Sequence, residues 1–168
     1  MAGSEKSNCL SDLRTIGLDS MTEVGPGELL LMFHGFLSAM DKWEQDARRR
    51  DELPETQADP RPTREIWRSW IPSLHEALAP YCTADCIATI QEFSSLGSPS
   101  EYGLNGFHIL ECEIKGDKAK LTTRGTNKFP ESSRRAIFTF AKVNGEWKID
   151  GKKELSESGR QRKIALFE

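Results

Sequence analysis

The segment FTFAKVNGEWKID, Phe138 to Asp150, decides the fold. At its centre Asn144-Gly145 suits a two-residue type I′ turn, whose central residues both need positive φ. Folding there sets Lys142 opposite Trp147, Phe140 opposite Ile149 and Phe138 opposite Gly151. Phe138, Phe140, Trp147 and Ile149 then share an apolar face, and Thr139, Ala141, Lys148 and Asp150 a more polar one. That alternation is the period of two that a half-buried strand requires.

A second hairpin lies upstream. With Gly116-Asp117 as a type II′ turn, Lys115 faces Lys118, Ile114 faces Ala119, Glu113 faces Lys120, Cys112 faces Leu121 and Leu110 faces Thr123. One register puts Ile114, Cys112, Leu110, Ala119 and Leu121 on one face and pairs Glu113 with Lys120 on the other. His108 shares the parity of Leu110 and Cys112, which points it inward. The hairpins, joined by a polar link from Asn127 to Ser133, predict a four-stranded antiparallel sheet at about 107–115, 118–125, 134–143 and 146–154.

Ahead of the sheet the period changes. Leu29, Phe33, Phe36, Met40, Trp43 and Ala47 recur every three or four residues, which predicts a helix over 27–50. Pro26 and Glu28 suit its first turn, and Arg48, Arg49 and Arg50 its last. The proline-rich, acidic stretch from Asp51 to Pro62 reads as an exposed loop. Thr63 reads as the N-cap of a second helix with Ile66, Trp67, Trp70, Leu74, Ala77 and Leu78 on its apolar stripe, kinked or broken near Pro72. Thr83 to Phe93 fits either helix or strand, and 94–105 reads as loop. Residues 1–25 form a loosely ordered lead-in, and 26–168 a single domain. Helices first and strands last is α+β. The basic-then-apolar tail from Arg160 to Phe167 suits a final strand, a docked tail or a partner contact.

At 168 residues, with 37% hydrophobic and 29% charged residues, the chain suits one domain with a modest core. Residues 1–114 carry 9 Lys and Arg against 19 Asp and Glu, a net of −10, while residues 115–168 carry 14 against 7, a net of +7. Such segregation gives either a two-faced molecule or an evenly solvated surface. The overall charge of −3 argues against a chain held to nucleic acid by bulk charge. The first residues lack the order of a signal peptide, and the longest apolar run, Leu29 to Leu37, is too short to span a bilayer. Cys9, Cys82, Cys86 and Cys112 do not form a dense disulfide framework. Cys82 and Cys86 have a spacing that zinc tolerates, but no second ligand pair accompanies them. A reduced, cytoplasmic protein without metal or cofactor is expected.

The segment from Phe138 to Asp150, closing on Trp147-Lys148-Ile149-Asp150, resembles the last hairpin of nuclear transport factor 2-like domains, cone-shaped folds with helices packed into a curved sheet. A narrower resemblance is to the bacterial immunity proteins with this fold, found beside polymorphic toxin genes. It is carried by Phe36 to Glu44, with Met40 and Trp43-Glu44 at helical spacing, by Ser98-Pro99-Ser100-Glu101-Tyr102, and by Val143 to Lys153. These pieces frame about 33–154; the tryptophan-rich stretch from Arg64 to Pro80 and the tail beyond Ser156 depart from the pattern.

The resemblance implies a protein of bacterial competition that binds one cognate toxin and blocks it by occlusion. A toxin attacking nucleic acid would carry a basic cleft, which an acidic face complements. Asp41, Glu44, Asp51, Glu52, Glu55 and Asp59 are the candidates for that face. Trp67 and Trp70, three apart, diverge by about 60° around a helix, so both fit a wide apolar stripe or one is a partner anchor; Trp67 is taken as the anchor. The alternative is a small-molecule carrier or enzyme using the cone pocket, with Trp70, Tyr102 and His108 lining it. No acid–base constellation, Ser-His-Asp order or phosphate loop appears, so no catalytic residue is expected. Neither membrane nor direct nucleic-acid contact is expected, and a homodimer stays open.

Overall fold

The computed structural model describes residues 26–93, 96, 102, 106–125, 135–156, 158–164 and 166. The lead-in over 1–25, the link from Asn127 to Ser133 and the motif from Ser98 to Glu101 lie outside the described residues. Helices α1 (Pro26–Asp51), α2 (Pro54–Gln57), α3 (Thr63–Arg68), α4 (Ile71–Leu78) and α5 (Ala84–Ala88) precede strands β1 (Phe107–Lys115), β2 (Lys118–Gly125), β3 (Arg135–Val143), β4 (Glu146–Leu155) and β5 (Gln161–Ile164). The strands form one antiparallel sheet in the order β1-β2-β3-β4-β5. The chain is α+β, as its patterning requires.

The sheet has one more strand than expected. β5 pairs with β4, and beyond it Leu166 is buried, its carbonyl accepting a hydrogen bond from the Tyr102 hydroxyl. The tail is therefore both a final strand and a docked tail.

Local signals explain most helix boundaries. α1 starts on Pro26 and ends after Arg48, Arg49 and Arg50. The stretch expected to be a loop contains α2, because Pro54 sits in the first turn, where its missing N–H costs nothing. Thr63 is not a cap but the first helical residue; Pro62 takes the N-cap position, its carbonyl accepting from the Glu65 and Ile66 N–H groups. The expected break falls just ahead of Pro72, which then lies in the first turn of α4. In the ambiguous segment Thr83 decides for a helix, accepting from Cys86 N–H at 3.2 Å.

Each hairpin holds its register near the turn and shifts farther out. Asn144 and Gly145 have φ of 53° and 82°, the two positive values of a type I′ turn. Lys142↔Trp147 and Phe140↔Ile149 pair as the sequence requires. A bulge at Asp150 then sets Phe138 opposite Lys152 rather than Gly151. In the first hairpin Lys115↔Lys118, Ile114↔Ala119, Glu113↔Lys120 and Cys112↔Leu121 hold, but a bulge at Leu110 puts Ile109, not Leu110, opposite Thr123.

Between α1 and the sheet lies a cluster of phenylalanines. The Phe33 ring meets Phe138 at 5.0 Å and Phe140 at 6.1 Å, both edge-on, and Phe36 meets Phe138 at 6.1 Å. All four rings are fully buried, joined by Leu29, Met40, Leu121 and Ile149. Edge-to-face pairs add to the stabilisation from burial itself. Phe138 touches both helix rings. Phe138→Ala is therefore expected to lower the unfolding free energy by about 3–5 kcal/mol, measured by urea denaturation; a loss below about 1 kcal/mol would mean that the helix and sheet are joined elsewhere.

Candidate functional site

The acidic residues singled out from the sequence gather where α1 ends and the chain passes through α2 into α3, but they do not form one acidic face. Glu44 is 2% exposed. It lies four residues after Met40 and eleven after Phe33, inside the stripe that α1 buries, so it is not available to a partner. Asp51 accepts a hydrogen bond from Trp67 Nε1 at 2.7 Å. Asp41 is half-buried and accepts from Gln45 Nε2 at 2.9 Å. Glu52 and Glu55 are exposed and make no ion pair among the described residues.

Asp59 faces Arg61 in a fork, with Oδ2 2.7 Å from Nη2 and Oδ1 3.0 Å from Nε. The Arg61 guanidinium and its backbone N–H hold the Asp59 carboxyl down at about 2. Arginines are interleaved throughout this corner. Arg64 reaches both oxygens of Glu92 at 2.8 and 3.1 Å, and Arg49 pairs with Asp46 at 3.2 Å.

Trp67 organises the corner. Its ring stacks on Phe93 at 5.2 Å with planes 12° apart, and Phe93 meets Trp43 edge-on at 5.4 Å. Trp43 Nε1 in turn donates to Ser73 Oγ at 3.0 Å. With its indole N–H on Asp51, Trp67 ties the end of α1 to α3 and leaves only part of its ring at the surface.

The residues expected to line a cone pocket are not brought together. Tyr102 is buried, its ring 6.0 Å from Phe36 and 5.9 Å from Phe107, within the core. Trp70 is half-buried beside the helices. His108 is exposed rather than inward, because the bulge at Leu110 inverts strand parity and pairs it with Arg124 on the outer face. The phenylalanine cluster packs between helix and sheet. His75 Nε2 bonds to the Ile90 carbonyl at 2.8 Å.

Cys82 and Cys86 are buried neighbours. Their mutual hydrogen bond pushes the Cys82 thiol up and draws the Cys86 thiol down. Among the described residues no group of three or more His, Cys, Asp or Glu side chains converges as metal ligands.

The charge asymmetry takes a definite place on the outer face of the sheet. Register puts Lys118, Lys120 and Arg124 of β2 on the side away from the helices, with Arg135, Lys153 and Lys163 beyond them. Alternation shows this in the sequence once the bulge positions are known. A groove at the other end of α1, formed with the β3–β4 turn, has no comparable signal, because its residues are scattered along the chain. No described helix is long and apolar enough to cross a membrane.

A family model described as NTF2 fold immunity protein matches residues 28–163, from the first turn of α1 into β5. No characterised protein and no solved structure shows a significant match.

The Asp59–Arg61 fork gives a direct test of the corner's electrostatics. The Asp59 carboxyl is depressed in the folded chain, so whatever stability the fork contributes is present above the ordinary carboxylate range and lost as pH falls toward about 2. Carboxyl-carbon NMR is expected to show Asp59 titrating near 2, and Arg61→Ala is expected to return it to the usual range near 4. An ordinary midpoint in the unmodified protein would show that the fork does not persist in solution.

Proposed function

The chain belongs to the NTF2-fold immunity protein family, and from that premise we propose that it neutralises one cognate bacterial toxin by binding over its active site. Its role as an immunity protein implies a toxin partner; the manner of inhibition is our reading. The observation that carries it is the family match over residues 28–163. Phe33, Phe36, Phe138 and Phe140 are buried against one another between α1 and the sheet, so this part of the interior is given to packing. In this reading inhibition works through the surface, by occlusion without chemistry.

The corner where α1 meets α2 and α3 is the contact surface in this reading. Glu52 and Glu55 present exposed carboxylates, with Asp41, Asp51 and Asp59 around them. The Trp67–Asp51 hydrogen bond and the Trp67–Phe93 stack hold this surface in shape before a partner arrives. A toxin that attacks nucleic acid in the cytoplasm carries a basic cleft, and exposed carboxylates on a rigid helical corner would steer toward it. The family's immunity role supports binding in place of catalysis.

Co-expression with the toxin encoded beside the gene provides the test. The unmodified chain is expected to rescue growth. Glu52→Lys with Glu55→Lys is expected to weaken binding of the purified toxin about tenfold or more, mainly through faster dissociation. Unchanged affinity would move the interface away from this corner, and failure of the unmodified chain to bind or rescue would refute the reading.

A further inference from the structure

The first turns of α1, the turn at Pro80 and Tyr81, and the hairpin joining β3 to β4 enclose an open groove of about 350 Å³. Met32, Pro80, Tyr81 and Trp147 give it an apolar lining, with Glu28, Glu146 and Lys148 at its margin. Its walls are firmly held. A Cβ at position 35 would lie 2.7 Å from Tyr81 Cε1, so only glycine there lets the Tyr81 ring close on the α1 backbone. The Tyr81 carbonyl accepts from Ile149 N–H at 2.8 Å, and Thr83 N–H donates to the Ile149 carbonyl at 2.9 Å. Trp147 is 5% exposed and forms a floor rather than a mobile flap.

Two large apolar side chains left in water lie on the segments that form this groove. Leu31 is 65% exposed and Val143 is 42% exposed. Leu31 lies about 60° around α1 from Glu28, beside the groove-lining stripe. Val143 pairs with Glu146 across the hairpin turn.

The charge at the margin selects the partner. Lys148 Nζ donates to the Pro80 carbonyl and lies 3.7 Å from Glu146. Lys142 Nζ sits 5.0 Å from the centre of the Trp147 ring. Both nearby cations are thus already engaged. Glu28 is exposed and makes no ion pair among the described residues, and the Glu146 side chain is 78% exposed. Of the Glu146–Lys148 pair only the carboxylate reaches solvent, 78% against 18% exposed, so with Glu28 the charge facing a partner is negative.

We propose that this groove is a second docking site for the toxin, receiving a segment that presents an apolar side chain flanked by Lys or Arg. The proposal rests on the toxin-binding function proposed for the chain and adds a contact which that function does not by itself contain. The groove and the corner bearing Glu52 and Glu55 lie at opposite ends of α1, about 35 Å apart at 1.5 Å per residue. Between them the helix exposes Leu31, Ser38, Lys42, Gln45 and Arg49 along one side. A toxin lying along α1 would touch both ends.

The groove is tested with Leu31→Glu, Glu28→Lys and Glu146→Lys, singly and combined, in the full chain titrated against the purified toxin domain encoded beside it. All three positions are exposed, so every variant is expected to fold, with the two Glu→Lys changes lowering the melting temperature by no more than a few degrees through the lost first-turn carboxylate of α1 and the lost pair with Lys148. The combined variant is expected to bind at least tenfold more weakly, with a faster off-rate. The part of the loss due to the two Glu→Lys changes is expected to shrink as salt is raised. If all three variants bind like the unmodified chain while Glu52→Lys with Glu55→Lys weakens binding, the groove is overturned and the toxin-binding reading stands. If the unmodified chain does not bind the toxin, both fall together.

Discussion

The contact between Phe33 and Phe36 of α1 and Phe138 and Phe140 of β3 is the constraint on which the rest of the structure depends. α1 presents its rings from a helical stripe, and β3 presents its own from alternate positions. The two periods meet only because β3 is the central strand and α1 is long enough to lie across it. Everything else is placed relative to that seam. Tyr102 packs against Phe36 and Phe107, and its hydroxyl pins the carbonyl of Leu166, drawing the chain after β5 onto the core.

The hairpins were legible in the sequence because a two-residue turn fixes register, and register fixes which side chains share a face. Asn144-Gly145 and Gly116-Asp117 both behave this way, and the pairs next to each turn come out by counting. Alternation cannot reveal an extra residue that leaves both flanking patterns intact. Leu110 and Asp150 are such residues. Each bulge leaves the turn-proximal pairs alone and inverts the parity of the strand beyond it. His108 thereby moves to the outer face, and Lys152 takes a place within 5.7 Å of the Tyr102 and Phe138 rings. Bulges also bend and twist a strand.

The candidate site was less legible, for a different reason. Charge on a sequence says nothing about how much of it is already paired. Asp51 and Asp59 are acidic in composition, yet one holds an indole N–H and the other a guanidinium. Glu44 is the exception, since its position within the stripe of Phe33, Leu37, Met40 and Ala47 was available from helical spacing alone. The groove at the opposite end of α1 draws on residues from 28 to 148, and only the packing of Tyr81 against Gly35 brings them together.

Any surface that binds a partner gains when it does not have to be ordered on binding, because each immobilised side chain costs about 0.5–1.5 kcal/mol. The two ends of α1 meet that requirement by different means. At one end Trp67 is locked by a stack and a hydrogen bond, so the corner is stiff although it is built from short elements and turns. At the other end Tyr81 is seated on Gly35 and tied through its backbone to Ile149, so the groove belongs to the sheet as much as to the helix. Both surfaces are thereby joined to the phenylalanine seam, directly through α1 and indirectly through β4. Substitutions confined to exposed side chains at either end therefore leave the seam that holds the ends in place untouched.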